Sequence, residues 1–208
     1  MKDPKIKRAI VSVSNFEDVV EFCHILIEYG VEIFATVETL QILKKANIRV
    51  SPFYKLHGVV IFSEKIWDIL HPSIVAGLAL PMEKIAQNKH LANKNIKLVD
   101  LLVCNLGSPY EVINLKSFDL ADDINIARLS MLSVGAANSR RVTVVSESSD
   151  YSDVLTDMSN HDGKVQGSTR CELARKSFKR ISEYSRLTAD HLEAEFSANT
   201  MPSHFNAI

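Results

Sequence analysis

The sequence is poor in the residues that mark several specialised classes of protein. It holds 3 Cys, 1 Trp, 6 Pro and 7 Gly in 208 residues. The cysteines Cys23, Cys104 and Cys171 stand far apart with no Cys-x-x-Cys pair, so neither a disulfide framework nor a metal site is expected. There is no internal repeat and no low-complexity tract, which is the pattern of an ordinary globular domain.

Charge of one sign and long apolar runs are also missing. Lys and Arg number 24 against 25 Asp and Glu, for a formal net charge of −1, so no basic field attracts nucleic acid or an anionic membrane. No window approaches the roughly 20 apolar residues of a membrane span, and residues 1–7 lack the apolar stretch of a secretory signal. We therefore expect a cytoplasmic protein with no nucleic acid and no membrane among its partners.

Short β-branched runs alternate with helical patterns along the chain. Strands are predicted at residues 8–14, 31–35, 48–53, 98–106 and 141–145, and helices at 15–29, 37–46, 82–95, 119–138, 150–158 and 168–196. Residues 58–62 are a further strand candidate, while 73–80 are apolar without a clear period. This alternation with tight connections predicts an α/β fold built on a parallel sheet. Arg140 and Arg141, which precede the last strand, are interpreted as a solvated edge.

Ligands of open parallel sheets bind where the strands end, at their carboxyl edge. In this sequence that rule selects the turns after Ser12, Phe34 and Asn105 and the region around Asn125. Two of these turns lead directly into a helix, where free N–H groups favour a phosphate.

Acidic residues in the first two turns oppose phosphate binding. Ser14 and Glu17 have the spacing of a capping box, which would occupy the free donors. A carboxylate about 4 Å from a phosphate costs about 1–4 kcal/mol, whereas a helix dipole supplies at most about 2 kcal/mol, and Asp18 and Glu38 add to the repulsion. The turns are either well-capped structural starts or a remodelled ligand site.

Several motifs, in their order and separation, resemble the IMP cyclohydrolase domain of the bifunctional purine biosynthesis protein. They are Ser12-Val-Ser14, Leu70-His-Pro72, Val103-Cys-Asn-Leu106, Asn125-Ile126, Ala136-Ala-Asn138 and Arg141-Val-Thr-Val-Val145, with Arg170, Leu173, Ala174, Phe178 and Tyr184 in the last helix. The resemblance implies the methylglyoxal-synthase-like fold, a three-layer α/β/α sandwich with a parallel sheet and a long C-terminal helix. It also implies a homodimer and no cofactor. The domain is expected at 1–196, and the tail at 197–208 resembles the start of the linker to a formyltransferase domain, which is absent from these residues.

The resemblance also assigns nucleotide-binding positions. These retained positions are Ser12, Ser14, Thr36, Thr39, His71 and Asn105. His71, between Leu70 and Pro72, is otherwise interpreted as a hydrogen-bonded structural histidine. Asn105 is otherwise interpreted as a turn residue.

Most of the family's charged groups are replaced. A catalytic Lys aligns with Asp68, a phosphate-binding Arg with Ile66, a Tyr with Gly107, an Asp with Asn125 and a second Lys with Ala137. Two glycine pairs have become Val37-Glu38 and Ala127-Arg128. Lys55, Lys65 and Arg128 are the cations that a shifted geometry would have to use instead. No catalytic residue is assigned.

Three functional hypotheses follow from this resemblance and its departures. The first is a catalytically degraded homologue that serves as a binding or assembly module, as a homodimer, with a purine-pathway enzyme, or with a nucleotide or other small ligand. The second is an active IMP cyclohydrolase that closes formyl-AICAR to IMP in de novo purine biosynthesis. The third is an allosteric domain that senses a small ligand, a use that this fold has in carbamoyl-phosphate synthetase.

Overall fold

The computed structural model describes residues 3–56, 71–81, 96–107 and 126–197. Residues 195–197 are described by their backbone alone. Strands and helices alternate along them. In chain order they are β1 (Arg8–Ser12), α1 (Val19–Glu28), β2 (Glu32–Ala35), α2 (Val37–Lys45), β3 (Val50–Pro52), α3 (Pro72–Ala79), β4 (Leu101–Cys104), α4 (Ile126–Ala137), β5 (Thr143–Val145), α5 (Tyr151–Asn160) and α6 (Gly167–Ser197). Short 3₁₀ turns at Phe53–Leu56 and Ser148–Asp150 follow β3 and precede α5.

The five strands form one parallel sheet in the order β3-β2-β1-β4-β5. Strand β1 is central: Ile10 pairs with Phe34 of β2 on one side and with Leu102 of β4 on the other. The chain therefore builds one half of the sheet and then returns to build the other. The carboxyl ends of β1 and β4 flank the point where the order reverses, which is where ligands bind in such sheets.

Alternate strand residues feed two separate hydrophobic cores. Ala9, Val11 and Val103 face the layer that contains α1 and α5, whereas Ile10 and Leu102 face the layer that contains α3 and α4. Both faces are covered because successive strand side chains point to opposite sides. The predicted α/β sandwich with a parallel sheet and a long C-terminal helix is confirmed.

The predicted capping box at the start of α1 is wrong. The helix begins at Val19, not at residue 15, and its N-cap Asp18 has a left-handed backbone with φ 56° and makes no side-chain cap. Ser14 is turned away because its N–H and its hydroxyl both donate to the side chain of Asn105. The N–H of Glu17 bonds to Asn15 Oδ1 instead, at 3.0 Å.

The interpretation of Arg140 and Arg141 as a solvated edge is wrong for Arg141. Its guanidinium is buried and donates to the carbonyl oxygens of Gly77, Val99 and Leu78 at 2.5, 2.8 and 3.0 Å. These carbonyls belong to α3 and to the segment before β4, so Arg141 joins three parts of the chain. Arg140 alone is exposed.

Some of the remaining predicted elements are observed in the structure, and others lie outside the described residues. Helix α6 runs from Gly167 to Ser197, close to the predicted 168–196, and residues 73–80 belong largely to α3. The strand at 58–62, the helix at 82–95, Lys65, Asp68 and the tail beyond 197 lie outside the described residues. The domain boundary at 196 stays a prediction. Among the described helices, none combines the length and apolar character needed to cross a bilayer.

The three thiols are expected to differ sharply in reactivity. Cys23 and Cys104 are buried and Cys171 is exposed on α6. Burial raises the pKa of both buried thiols to about 12, and only the thiolate reacts. At pH 8 a disulfide-exchange reagent should therefore label one thiol rapidly in the native protein and three in denaturant. The variant Cys171→Ser should lose the fast phase, and a fast phase that survives it would contradict this assignment.

Candidate functional site

Ser12 lies at the carboxyl end of β1 and receives two hydrogen bonds. The hydroxyl of Thr36 donates to Ser12 Oγ at 3.2 Å, and Nε of Arg128 donates to the same atom at 3.2 Å. Ser12 is completely buried. A hydroxyl oxygen accepts two bonds, so the acceptor capacity of Ser12 is used within the protein.

Arg128 reaches this position from the first turn of α4. Only 8% of the residue is exposed, and its guanidinium lies 3.9 Å from Glu38 Oε2. The Glu38 side chain is 72% exposed, so this ion pair contributes little stability. Of the cations that the sequence offered, the structure brings Arg128 to the site, whereas Lys55 lies on the exposed surface of the turn after β3.

Thr39 holds α2 against the turn after β1. Its hydroxyl accepts from the N–H of Val13 at 3.1 Å and donates to the Val13 carbonyl at 3.3 Å. The residue is fully buried. This reciprocal pair satisfies the backbone where β1 ends, so in this conformation the Thr39 hydroxyl acts as a structural link.

Ser14 and Asn105 form the half-exposed part of the predicted site. Asn105 Oδ1 accepts from the N–H of Ser14 at 2.7 Å and from its hydroxyl at 2.9 Å. The Asn105 amide group makes one long bond, 3.5 Å, to the carbonyl of Asn15. The amide therefore orders the turn after β1 and keeps most of its own donor capacity.

His71 has a capping role at the start of α3. Its Nδ1 accepts from the N–H of Ser73 at 3.2 Å, and Pro72 follows at the first helical position. This contact agrees with the structural interpretation of His71. The other five predicted positions lie at the carboxyl edge of β1, β2 and β4. The structure links four of them in two pairs, Ser12 with Thr36 and Ser14 with Asn105, while Thr39 bonds the backbone of Val13.

The sequence prediction missed a polar pocket beside Ser14 and Asn105. It has a volume of about 560 Å³. Its lining is Ser14, Asn15, Asn105, Gly107, Ser146, Glu147, Ser148, Ser149 and Arg180. Four of these residues follow β5 directly, and the rule that selected the other strand ends would have selected this one as well. Arg180 comes from α6, and nothing in the local sequence pattern signals its position.

Arg180 is held by several partners at the mouth of this pocket. One nitrogen donates to the carbonyl of Gly107 at 3.0 Å, a second lies 3.3 Å from Glu183 Oε2, and Nε is 4.0 Å from Glu147 Oε1. Its side chain is a quarter exposed. The positive charge is therefore balanced by carboxylates from both sides.

These features define an α/β domain of the methylglyoxal-synthase-like kind, with its candidate site at the carboxyl edge of the sheet. A solved structure, "Crystal structure of ForH", shares the fold with a TM-score of 0.76, over 90% of this chain and 99% of that one, at 24% identity.

The sequence relatives identify the family to which the domain belongs. A family model described as "AICARFT/IMPCHase bienzyme" matches residues 135–207. The bifunctional purine biosynthesis protein PurH of Chlorobium chlorochromatii is 39% identical over 202 residues, 95% of this chain. PurH of Pelodictyon phaeoclathratiforme is 38% identical over 196 residues, 92% of this chain. The chain is a homologue of the IMP cyclohydrolase domain of PurH, and it spans 38% and 37% of the length of these two relatives.

Proposed function

We propose that this chain is a binding module related to the cyclohydrolase domain and that it does not close formyl-AICAR to IMP. The observation that carries the proposal is the pair of hydrogen bonds that Ser12 Oγ accepts from Arg128 and Thr36. Both acceptor positions of Ser12 Oγ are therefore filled by the protein, so a nucleotide hydroxyl finds no acceptor there. Thr39, which bonds the backbone of Val13 in both directions, supports the same conclusion.

The chemistry of ring closure argues in the same direction. The formamido carbonyl must be polarised, a proton must move, and water must leave as the nitrogen attacks. Positioned acids and bases contribute about 10²–10⁴-fold each to such steps. The positions that resemble the family's catalytic groups hold Asp68, Gly107, Asn125 and Ala137, and none of these places a cation where the family has Lys.

A cyclisation assay tests this proposal directly. Purified chain and the PurH protein of Chlorobium chlorochromatii, as a positive control, are incubated with formyl-AICAR, and IMP formation is followed. We expect the chain to stay at the uncatalysed rate. Turnover well above background that Asn105→Ala abolishes would refute the proposal.

One contact favours the rival hypothesis of an active cyclohydrolase. Arg128 brings a positive charge to Ser12. If Arg128 separated from Glu38, its charge could stabilise negative charge that develops on the substrate during ring closure. An active enzyme of this kind would lose its turnover in Arg128→Met. The binding module, in contrast, has no turnover to lose.

The module's partners are part of the proposal. We expect a cytoplasmic homodimer or a complex with a purine-pathway enzyme, in line with the homology to PurH. Light scattering after size exclusion reports the dimer, and co-purification of tagged chain reports the complex. A monomer that recovers no purine enzyme would refute the assembly role and leave ligand binding as the function.

A further inference from the structure

The pocket beside Asn105 is lined by a serine whose hydroxyl has no hydrogen-bond partner among the described residues. Ser146 directly follows β5, is 3% exposed and lines the cavity. Within the described ranges, its hydroxyl makes no hydrogen bond to the protein. The hydroxyl is not among the fully buried atoms that lack a partner, so it is accessible from the pocket and can bond to a molecule bound there.

The charges around this pocket cancel. Its lining carries one cation, Arg180, and one carboxylate, Glu147, whose nearest charged atoms are 4.0 Å apart. Arg180 already donates to Gly107 and contacts Glu183. A phosphate at this mouth would be repelled by Glu147, by about 1–4 kcal/mol at surface-like dielectric, and the charge of Arg180 is already shared with Glu147 and Glu183.

The same groups suit adjacent hydroxyls. A carboxylate accepts from two neighbouring hydroxyl groups, as acidic residues do with ribose in dinucleotide sites. The Glu147 side chain is about half exposed and can present both oxygens, while the Asn105 amide donates only one long bond to the protein. The volume of about 560 Å³ is within the range of about 300–1,000 Å³ for small-molecule sites.

We propose that this pocket binds an uncharged ligand with vicinal hydroxyls, the chemistry shared by a free pentose and the ribose of a nucleoside. The inference rests on the proposed function, since it identifies what a module without cyclohydrolase activity would hold at this edge. Ser146 and Asn105 bond the ligand, and Glu147 accepts from its paired hydroxyls. Glu147 thereby also disfavours the phosphorylated form.

Calorimetric titration of the full chain with inosine, ribose, 2′-deoxyinosine, IMP and inorganic phosphate tests this assignment. We expect saturable binding of inosine, of ribose or of both, which identifies the source of the diol. Where inosine binds, 2′-deoxyinosine and IMP should each bind about tenfold more weakly. Binding of IMP or phosphate in preference to both uncharged ligands, or of none of the five, would overturn the inference.

Two variants separate recognition from a purely structural role. Ser146→Ala should weaken the bound diol about tenfold, whereas the control Ser159→Ala, an exposed serine at the far end of α5, should not change it. Glu147→Gln should weaken the diol and strengthen IMP, because it removes an acceptor and a repulsion together. Equal affinities in all three variants and the native chain would contradict the assignment.

Failure of the ligand assignment can be distinguished from failure of the proposed function. Cyclisation of formyl-AICAR by the same preparation would refute the binding module whatever the titrations show. An inactive chain that binds no diol would refute only the ligand assignment.

Discussion

Replacement of Arg141 by methionine is expected to lower the free energy of unfolding by about 3–5 kcal/mol. The buried guanidinium donates to three carbonyls, from Gly77, Leu78 and Val99. It also lies 3.7 Å from Asp100 Oδ1, whose other oxygen accepts from the N–H groups of Lys7 and Arg8 at 3.0 Å each. Methionine fills similar space but removes the guanidinium donors from the three carbonyls and the positive charge from beside Asp100, which keeps its two backbone donors.

Asp100 is the group most affected by losing this arginine. Burial, the largest influence, raises the pKa of Asp100, against the lowering by its two backbone hydrogen bonds and by the charge of Arg141. The pKa of the Asp100 carboxyl should therefore rise further in Arg141→Met. Because the native state then binds its proton more readily than the unfolded chain, the variant should lose stability as the pH increases through that pKa.

Urea denaturation of the native chain and of two variants provides the measurement. Arg140→Met is the matched control, since Arg140 is the exposed neighbour and, among the described residues, its contact is through its backbone oxygen and not its side chain. We expect its unfolding free energy to stay within about 0.5 kcal/mol of the native value. Equal losses of unfolding free energy in the two variants would contradict the stabilising role assigned to the buried hydrogen bonds of Arg141.

The second large effect is expected at Arg170, where methionine should lower the free energy of unfolding by about 3 kcal/mol. Arg170 is buried in the first turn of α6 and donates to the carbonyls of Ser139, at 2.9 Å, Arg140, at 3.1 Å, and Val165. It also forms an ion pair with Asp3 at 3.0 Å. The side chain joins the start of α6 to the loop that leads into β5.

Arg175 on the same helix is the control for Arg170. It is exposed and pairs only with Glu172 among the described residues, three positions away. Surface pairs of this kind contribute about 0–1 kcal/mol, so Arg175→Met should change the urea midpoint little. A drop for Arg175→Met as large as that for Arg170→Met would contradict the assignment of Arg170 as a buried connector.

Arg141 and the candidate site lie at opposite edges of the sheet. Arg141, Asp100 and Arg8 stand where β5, β4 and β1 begin, and each of them bonds to main-chain groups. Ser12, Asn105 and Ser146 stand where β1, β4 and β5 end. Substitutions at the first edge should therefore change stability, and substitutions at the second should change binding.

Much of the fold was predictable from the sequence because its signals are local. The β-branched runs, the helical spacing of apolar residues and the length of α6 depend on residues within a few positions of one another. The predicted strand at 141–145 and helix at 168–196 accordingly match β5 and α6 within two residues. The family motifs are local in the same sense, and the homology they indicated is confirmed.

The partners of polar side chains were decided only by the tertiary structure. Ser14 has the spacing of a cap for Glu17, yet it bonds Asn105, 91 positions away, because the sheet places the ends of β1 and β4 side by side. Arg141 is followed by a strand and preceded by a second arginine, yet α3 and β4 bury it. Sequence patterning determined which segments form the sheet and helices through hydrophobic burial. The long-range packing of those segments determined which polar groups meet, since a hydrogen bond requires atoms within about 3 Å and separation along the chain carries no such information.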